Sequence, residues 1–252
     1  MVSHLHRAII TIAWNLAHQV KKRLIPDYLV EVIQDLEADT VLFNEYVDNE
    51  SREPFKTAMR EAGYLWQAVS FTPAVHNQIY AASRFAFEIG DLQPPQFDGS
   101  AISNFLHLKF KDFPVEMVGL RAPAYEKAAE RHAYWKELGK IMESANGRPI
   151  LFAGDVNFDP FVKAKQVGTA CIPFPLAEGY QVPNPAGDWS YLGHSGKGFR
   201  IDHVIHTSYV EVFEVEYVDR ISGRFLAGEK MKIPISDHAA LRFTVATPLP
   251  AT

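Results

Sequence analysis

The sequence predicts an α/β protein in which two packed sheets carry helices on their outer faces. Apolar runs of strand length recur along the whole of the 252 residues. Three segments with helical apolar spacing separate some of these runs. Strands resume on both sides of the Pro- and Gly-rich loops at 91–100 and 172–200, so neither is expected to be an interdomain linker. We therefore expect a single domain over residues 1–252.

The first elements alternate between strand and helix. Residues 7–15, "RAIITIAWN", are expected to form a buried strand. A helix is predicted over 26–39, where Pro26 suits the first turn. The segment 40–45, "TVLFNE", is a strand that stops at an acid, and a short helix over 54–63 ends in a glycine.

The remainder of the chain is richer in strands. Eight further strands are predicted, in order, at "YLWQAVSF", "QIYAASRF", "FLHLKF", "VEMVGLR", "PILFAG", "RIDHVIHTS", "YVEVFEVEYV" and "ALRFTVA". A long helix over about 125–144 separates the fourth from the fifth of these, because apolar residues recur there on one helical face.

Composition limits the function classes. The net charge of −5 and the pI near 6.1 are unlike those of a non-specific polynucleotide binder, which is usually basic, although a local basic patch could still steer a nucleic acid. The single cysteine, Cys171, excludes an internal disulfide. No apolar run of about 18 residues is available to span a membrane, and the N-terminal segment has no clear signal-peptide cleavage site. A cytoplasmic protein is expected, and its oligomeric state stays open.

Polar side chains occur where predicted strands begin or end. They lie in five segments: Asn15, Glu45, Asp155 with Asn157, Asp202, and Asp237 with His238. An isolated aspartate at a strand end is most often a turn former. Five such segments together could build one site on rigid elements, with carboxylates for a hard cation and an imidazole for phosphate chemistry.

The order of these segments resembles the endonuclease/exonuclease/phosphatase superfamily, whose fold is shared by DNase I, AP endonucleases, sphingomyelinases and inositol polyphosphate phosphatases. The motifs are "TIAWNL", "ADTVLFNEY", "AASRF", "AGDVNFDP", "RIDHVI" and "SDHAAL". Each is weak alone, but six in the family's order are specific. Asn44 stands where the family usually has Gln. The resemblance implies a four-layer α/β sandwich of two mostly antiparallel sheets flanked by helices.

The resemblance also implies a metal-dependent hydrolysis of phosphoesters. Glu45 would be the main ligand of Mg²⁺ or Mn²⁺, with Asn15 and Asp237 nearby. Magnesium prefers oxygen ligands and keeps several waters, so one or two carboxylates suffice. The ion would polarise the phosphoryl oxygens and stabilise the leaving oxygen.

The same carry-over assigns the catalytic side chains. Asp155 would position or deprotonate the attacking water, and Asn157 would hold that geometry. His238 would contact a non-bridging phosphate oxygen. Asp202 would hydrogen-bond His238, keep it protonated and fix its ring.

The sequence departs from the family after the strand "VEMVG". The text "VGLRAPAY" has no histidine there, and alignment on the proline places Arg121 in the slot of a family tyrosine. Arg121 could donate to the substrate phosphate, or could be a surface arginine at a strand end. Tyr125 is the other candidate if the alignment slips. This departure argues against a true AP endonuclease.

Two further residues are candidates for substrate binding. Asn77 precedes a predicted strand and could line the cleft. Trp189 lies in the loop before "RIDHV", where it could stack on a base or could be an ordinary packed aromatic.

Three functions remain open at this stage. The first is a nuclease or nucleic-acid phosphodiesterase whose partner is DNA or RNA. The second is a hydrolase of a small phosphoester, either a phosphatase or a phospholipid head-group phosphodiesterase. The third is a non-catalytic binding module, which is disfavoured because all six motif segments retain their functional residues.

Overall fold

A computed structural model describes residues 8–17, 25–70, 77–124, 127–161, 178–193, 195–228 and 235–246. Within these ranges the chain forms two six-stranded sheets and two short two-stranded ribbons. No helix among the described residues combines the length and the apolar character needed to cross a membrane.

The elements follow the predicted order closely. The strands are β1 Ile9–Asn15, β2 Thr40–Tyr46, β3 Trp66–Val69, β4 Gln78–Ser83, β5 Phe87–Ile89, β6 Phe105–Phe110, β7 Glu116–Arg121, β8 Ile150–Asp155, β9 Tyr180–Gln181, β10 Tyr191–Leu192, β11 Gly198–Phe199, β12 Asp202–Thr207, β13 Glu211–Val218, β14 Arg220–Ile221, β15 Arg224–Phe225 and β16 Ala240–Ala246. The α-helices are α1 Leu29–Asp35, α2 Glu53–Glu61, α3 Gly99–Ser103 and α4 Ala128–Ser144, with a 3₁₀ turn at Glu50–Arg52.

The two sheets have matching layouts. The first has the order β13-β16-β1-β2-β4-β3, and the second has the order β5-β6-β7-β8-β12-β9. The central pairs β1–β2 and β7–β8 are parallel, and every other pair is antiparallel. The expected mostly antiparallel arrangement is confirmed. Each sheet therefore brings the C-terminal ends of two neighbouring strands to one edge.

The sheets pack face to face over a shared apolar core. Side chains of the first sheet, such as Leu42 and Ile79, belong to the same buried cluster as Met117 and Leu151 of the second sheet. Burial of such side chains contributes roughly 1.5–3 kcal/mol each. This interface fixes the distance across which residues of the two sheets meet.

Helices cover the outer faces and complete the predicted four layers. Leu29 and Met59, from α1 and α2, belong to the same buried cluster as Phe43 on the outside of the first sheet. Trp135 and Leu138 of α4 belong to the cluster that covers the outside of the second sheet.

One helix is clearly shorter than predicted, and one short helix was not predicted. The helix α1 is shorter than the predicted span 26–39, because it starts after Tyr28 and stops before Glu37, whose φ is +55°. Pro26 lies outside the first turn and its carbonyl accepts the N–H of Leu29. The loop predicted over 91–100 passes into the short helix α3, which Asp98 caps by accepting backbone N–H groups.

Candidate active site

Residues from both sheets meet at one edge of the sandwich. The first sheet contributes Asn15 and Glu45, from the ends of β1 and β2. The second contributes Arg121, Asp155 and Asp202, which are direct neighbours because Asp155 pairs with both Arg121 and Asp202 across the strands. The structure thus brings these five residues together at one edge.

Asn15 links the two acidic side chains at the centre. Its Nδ2 donates to Oε1 of Glu45 at 3.2 Å and to Oδ2 of Asp155 at 3.0 Å. Its Oδ1 accepts the N–H of Ala17 at 2.9 Å. The amide thus orients a carboxylate from each sheet, while its predicted role as a metal ligand stays a prediction.

Glu45 has an unusual backbone conformation. Its φ is +54°, and the register of β2 against β4 shifts between Phe43 and Tyr46. A left-handed conformation is costly for a residue with a side chain, and such outliers concentrate at functional sites. The bulge turns a side chain that is only 5% exposed toward Asn15 and the second sheet.

Asn44 is a connecting residue whose role the sequence did not reveal. Its Nδ2 donates to the carbonyl of Leu120 at 2.8 Å, and its Oδ1 accepts the N–H of Asp155 at 3.2 Å. Gly154 has a φ of +140°, and a Cβ there would lie 2.1 Å from the Leu120 carbonyl oxygen. The departure from the family's Gln at Asn44 was the available signal that this position had its own contacts.

Asp202 and His238 form a buried pair across the two sheets. Nδ1 of His238 donates to Oδ2 of Asp202 at 2.9 Å. The backbone of His238 is held by the first sheet, because its N–H donates to Oγ of Ser236 and its carbonyl accepts the indole N–H of Trp14. Ser236 in turn donates to the carbonyl of Asn15. The bond from Asp202 to the imidazole is the one the resemblance implies.

Burial and neighbouring charges raise the pKa values of Asp155 and His238. Desolvation, reinforced by the charge of Asp202, raises the pKa of Asp155 to about 7. Burial opposes protonation of His238, but the charge and hydrogen bond of Asp202 prevail and raise its pKa to about 9. The site therefore combines a protonated imidazole with a carboxyl group whose pKa is close to neutral pH.

Arg121 lies among the acidic residues. Its Nε is 2.8 Å from Oε1 of Glu45 and 3.7 Å from Oδ2 of Asp155. That buried Nε makes no hydrogen bond of good geometry, so the contact with Glu45 is an ion pair in which the N–H is not directed at the carboxylate. The side chain is 17% exposed and paired with Glu45, and its contact with a substrate phosphate stays a prediction.

Asn157 closes the turn that follows β8. Its backbone N–H donates to Oδ1 of Asp155 at 2.9 Å, and its Nδ2 donates to the carbonyl of Ala122 at 2.5 Å. Its φ is +54°. The residue holds Asp155 through the backbone and ties the segment after Arg121 to the site.

The remaining predicted residues have different placements. Asp237 is 8% exposed, and its charge contributes to the raised pKa of His238. Asn77 lies just before β4, half-buried, at the edge where β2 ends. Trp189 packs on the core between the sheets and lies against Gly198. This placement is that of an ordinary packed aromatic, the alternative to stacking on a base. Tyr125 is outside the described residues. Substrate contacts by Asn77, Trp189 and Tyr125 stay predictions.

A second cluster of metal-binding residue types lies at the opposite end of β7. Ligand atoms of Asp91, His107 and Glu116 are within 4.8 Å of one another and could hold a metal ion. Arg148, however, donates to both carboxylates, and His107 accepts the N–H of Leu92 while its Nε2 contacts Glu116 at 2.8 Å. The guanidinium already supplies the positive charge, so we interpret this cluster as an ion-pair network.

The fold is that of the DNase I-like class, whose members are phosphoester hydrolases. The sequence model of the Endonuclease/Exonuclease/phosphatase family matches residues 12–238, and the chain belongs to this family. No curated protein sequence matches the chain.

Solved structures share the fold at low sequence identity. The truncated TDP2 of Caenorhabditis elegans is 14% identical with a TM-score of 0.67, over 95% of this chain and 98% of that one. An AP endonuclease from Archaeoglobus fulgidus is 14% identical with a TM-score of 0.67, over 96% and 100%. ANGEL2, a 2',3'-cyclic phosphatase, is 10% identical with a TM-score of 0.65, over 96% and 95%.

Proposed function

We propose that this protein is a metal-dependent nuclease that cleaves phosphodiester bonds by in-line attack of water. The observation that carries the proposal is the convergence of Glu45, Asp155 and the Asp202–His238 pair at one edge of the sandwich. These groups are a hard-cation ligand, a base and a protonated imidazole, the set that phosphoester hydrolysis requires.

The residues present fit a divalent cation. Asn15 holds Oε1 of Glu45 and Oδ2 of Asp155 close together, and carboxylate oxygens are the donors that such a cation prefers. Arg121 would leave Glu45 when the cation binds. Glu45 and Asp237 would hold Mg²⁺ or Mn²⁺, with waters filling the remaining positions. A bound cation would supply stabilisation of the negative charge on the phosphoryl and leaving oxygens. In the described arrangement Asn15 would orient Glu45, because its amide oxygen is engaged by Ala17.

The protein's own groups carry the proton movements. Ionised Asp155 accepts a proton from the attacking water, while Asn15 and the backbone of Asn157 hold its two oxygens. His238 donates from Nε2 to a phosphoryl oxygen, because its Nδ1 is occupied by Asp202. Arg121 would donate to the same phosphate once it leaves Glu45.

A small-phosphoester hydrolase is the second candidate. The net charge of −5 favours it, since a broad polynucleotide surface is usually basic. The similarity to ANGEL2, described as a cyclic phosphatase, supports the same direction at the level of the fold.

A substrate screen with added Mg²⁺ or Mn²⁺ tests both candidates. Plasmid DNA, abasic duplex, RNA, a phosphodiester dye and inositol phosphates are incubated with the protein and with Asp155→Asn as the matched inactive control. Cleavage of a polynucleotide by the wild type alone supports the nuclease. Release of phosphate from a small ester alone supports the second candidate, and hydrolysis that survives exhaustive chelation contradicts both.

A further inference from the structure

The segment Ser190–Leu192 lies against both members of the Asp202–His238 pair. Ser190 is fully buried, and its Oγ accepts the backbone N–H groups of Ile201 and Asp202 at 2.9 and 3.0 Å. Its carbonyl accepts the N–H of Ala239 at 2.7 Å. One serine therefore binds the backbone beside each partner of the pair.

These two contacts connect different sheets. Asp202 begins β12 in the second sheet, whereas His238 and Ala239 lead into β16 of the first sheet. The apolar core between the sheets is non-directional and does not by itself fix their relative position along the strands. The hydrogen bonds of Ser190 are directional. They lie beside the Asp202–His238 pair, in which Nδ1 and Oδ2 are 2.9 Å apart.

Tyr191 adds a contact to the imidazole itself. It forms an isolated antiparallel bridge with His238, and the N–H of Leu192 donates to the carbonyl of Asp237 at 3.0 Å. The ring centroids of Tyr191 and His238 are 4.8 Å apart with a 38° angle between their planes. The ring centroids of Tyr191 and Phe199 are 6.0 Å apart, so Tyr191 has a second aromatic neighbour.

We propose that Ser190 and Tyr191 are positioning residues that hold the Asp202–His238 pair across the two sheets. This inference rests on the proposed function, because the pair is assigned there to phosphate chemistry. Ser190 fixes the backbone of both partners, and the ring of Tyr191 fixes the plane of the imidazole so that Nε2 faces the substrate. Residues that orient catalytic groups in this way commonly cost about ten- to a hundredfold in activity when they are removed.

The test compares two buried serines with the same kind of contacts. Ser190→Ala is measured beside Ser83→Ala; Ser83 is also fully buried and accepts a backbone N–H, from Phe85, but lies at the opposite end of the first sheet. We expect Ser190→Ala to lower kcat about tenfold with little change in KM, and Ser83→Ala to lower thermal stability without lowering kcat. Equal loss of kcat in both variants, or none in Ser190→Ala, would overturn the proposal.

A second pair of variants tests the ring of Tyr191. Tyr191→Phe keeps the ring and is expected to retain wild-type kcat, whereas Tyr191→Leu is expected to lose about tenfold. Tyr191 is half-buried, so these variants remain informative if Ser190→Ala does not fold. Equal kcat in the phenylalanine and leucine variants contradicts the role of the ring.

A spectroscopic measurement separates this inference from the proposed function. The proton on Nδ1 of His238, bonded to a buried carboxylate, is followed by NMR in the wild type, Ser190→Ala, Tyr191→Leu and Ser83→Ala. We expect its signal to shift or broaden in Ser190→Ala and Tyr191→Leu and to stay as in the wild type in Ser83→Ala. If the protein hydrolyses no phosphoester but shows this pattern, the proposed function is refuted and the positioning role remains. If the signal is unchanged in Ser190→Ala and Tyr191→Leu, only the positioning role is refuted.

Discussion

Nε of Arg121 lies 2.8 Å from Oε1 of Glu45, so a fixed positive charge stands beside the carboxylate proposed to bind the cation. A guanidinium and a divalent cation that share one carboxylate repel each other. The affinity for the cation should therefore be set partly by how readily Arg121 leaves Glu45.

Replacing Arg121 should tighten metal binding. We expect Arg121→Gln to bind Mg²⁺ about tenfold more tightly than the wild type, because one competing positive charge is removed. Isothermal titration calorimetry of the purified protein measures this without a substrate. Arg60→Gln, the same change at an exposed position on α2, serves as the control. Weaker binding by Arg121→Gln would instead show that Arg121 organises the ligands.

The same arginine should matter for turnover. We expect Arg121→Lys to lose activity, since an ammonium cannot reproduce the planar donor pair of a guanidinium. Arg121→Ala should lose more, mainly in kcat if the contact strengthens in the transition state. Steady-state kinetics at saturating Mg²⁺ separates this effect from the change in metal affinity. An alanine variant with unchanged kinetics would shift attention to Tyr125.

The proposed base and acid should each be indispensable. Asp155→Asn and His238→Ala are each expected to lower kcat about a hundredfold or more, which is typical of a lost general base or charge-stabilising donor. Asp202→Asn should act through His238, so adding it to His238→Ala should cost little more. Circular dichroism checks that the fold survives. Additive losses in the double variant would mean that Asp202 has a separate role.

Activity should have a bell-shaped dependence on pH. The rate requires ionised Asp155 and protonated His238, whose pKa values are raised to about 7 and about 9. The rate should rise as pH passes the first value and fall as it passes the second, and a bound cation should move the rising limb to lower pH. Profiles of kcat/KM at two concentrations of Mg²⁺ measure both limbs. A falling limb that persists in His238→Gln would belong to another group.

Stability should fall over the same alkaline range. The pKa of folded His238 is about 9 and its ordinary value is 6.5, so its contribution is full below 6.5 and is lost as pH rises through about 9. The loss is on the order of 3 kcal/mol. Thermal unfolding of metal-free wild type and His238→Gln should give a stability difference that narrows from pH 6 to pH 10. A constant difference would show that the folded imidazole is not preferentially protonated.

The backbone of Glu45 predicts an inverted order of stability. In regular secondary structure alanine is ordinarily more stabilising than glycine. At a φ of +54°, however, glycine avoids the steric clash of Cβ. We expect Glu45→Gly to be about 1 kcal/mol more stable than Glu45→Ala, although both lose the carboxylate. Urea unfolding of the two variants provides the comparison. If alanine is the more stable, the bulge in β2 has relaxed.

Much of the site was predictable because polar residues at strand ends leave a local signature. Asn15, Glu45, Asp155 and Asp202 follow or open apolar runs, and the neighbouring strands bring them together once the topology is known. Asn44 was noted only as a departure from the family's Gln, because an amide inside an apolar run does not show that it bonds to Leu120 and Asp155 of the other sheet. Such contacts depend on how two sheets stack, and residue spacing does not encode that relation.

The helix ends were harder to predict for a related reason. The apolar spacing of α1 continues to Leu36, but the helix ends before Glu37, which is in the left-handed conformation. A glutamate side chain does not predict such a conformation. Gly63, by contrast, has a φ of +94° after α2, as its position predicted.

The place of β16 in the first sheet has a consequence for the newly made protein. This strand is among the last described elements of the chain, yet it lies between β13 and β1, and His238 is two residues before its start. Until the ribosome has released this segment, β13 has no partner strand in the sheet and the imidazole is absent from the site. If the protein is a nuclease, a chain still being translated cannot cut its own messenger RNA before this segment has been made and has joined the sheet.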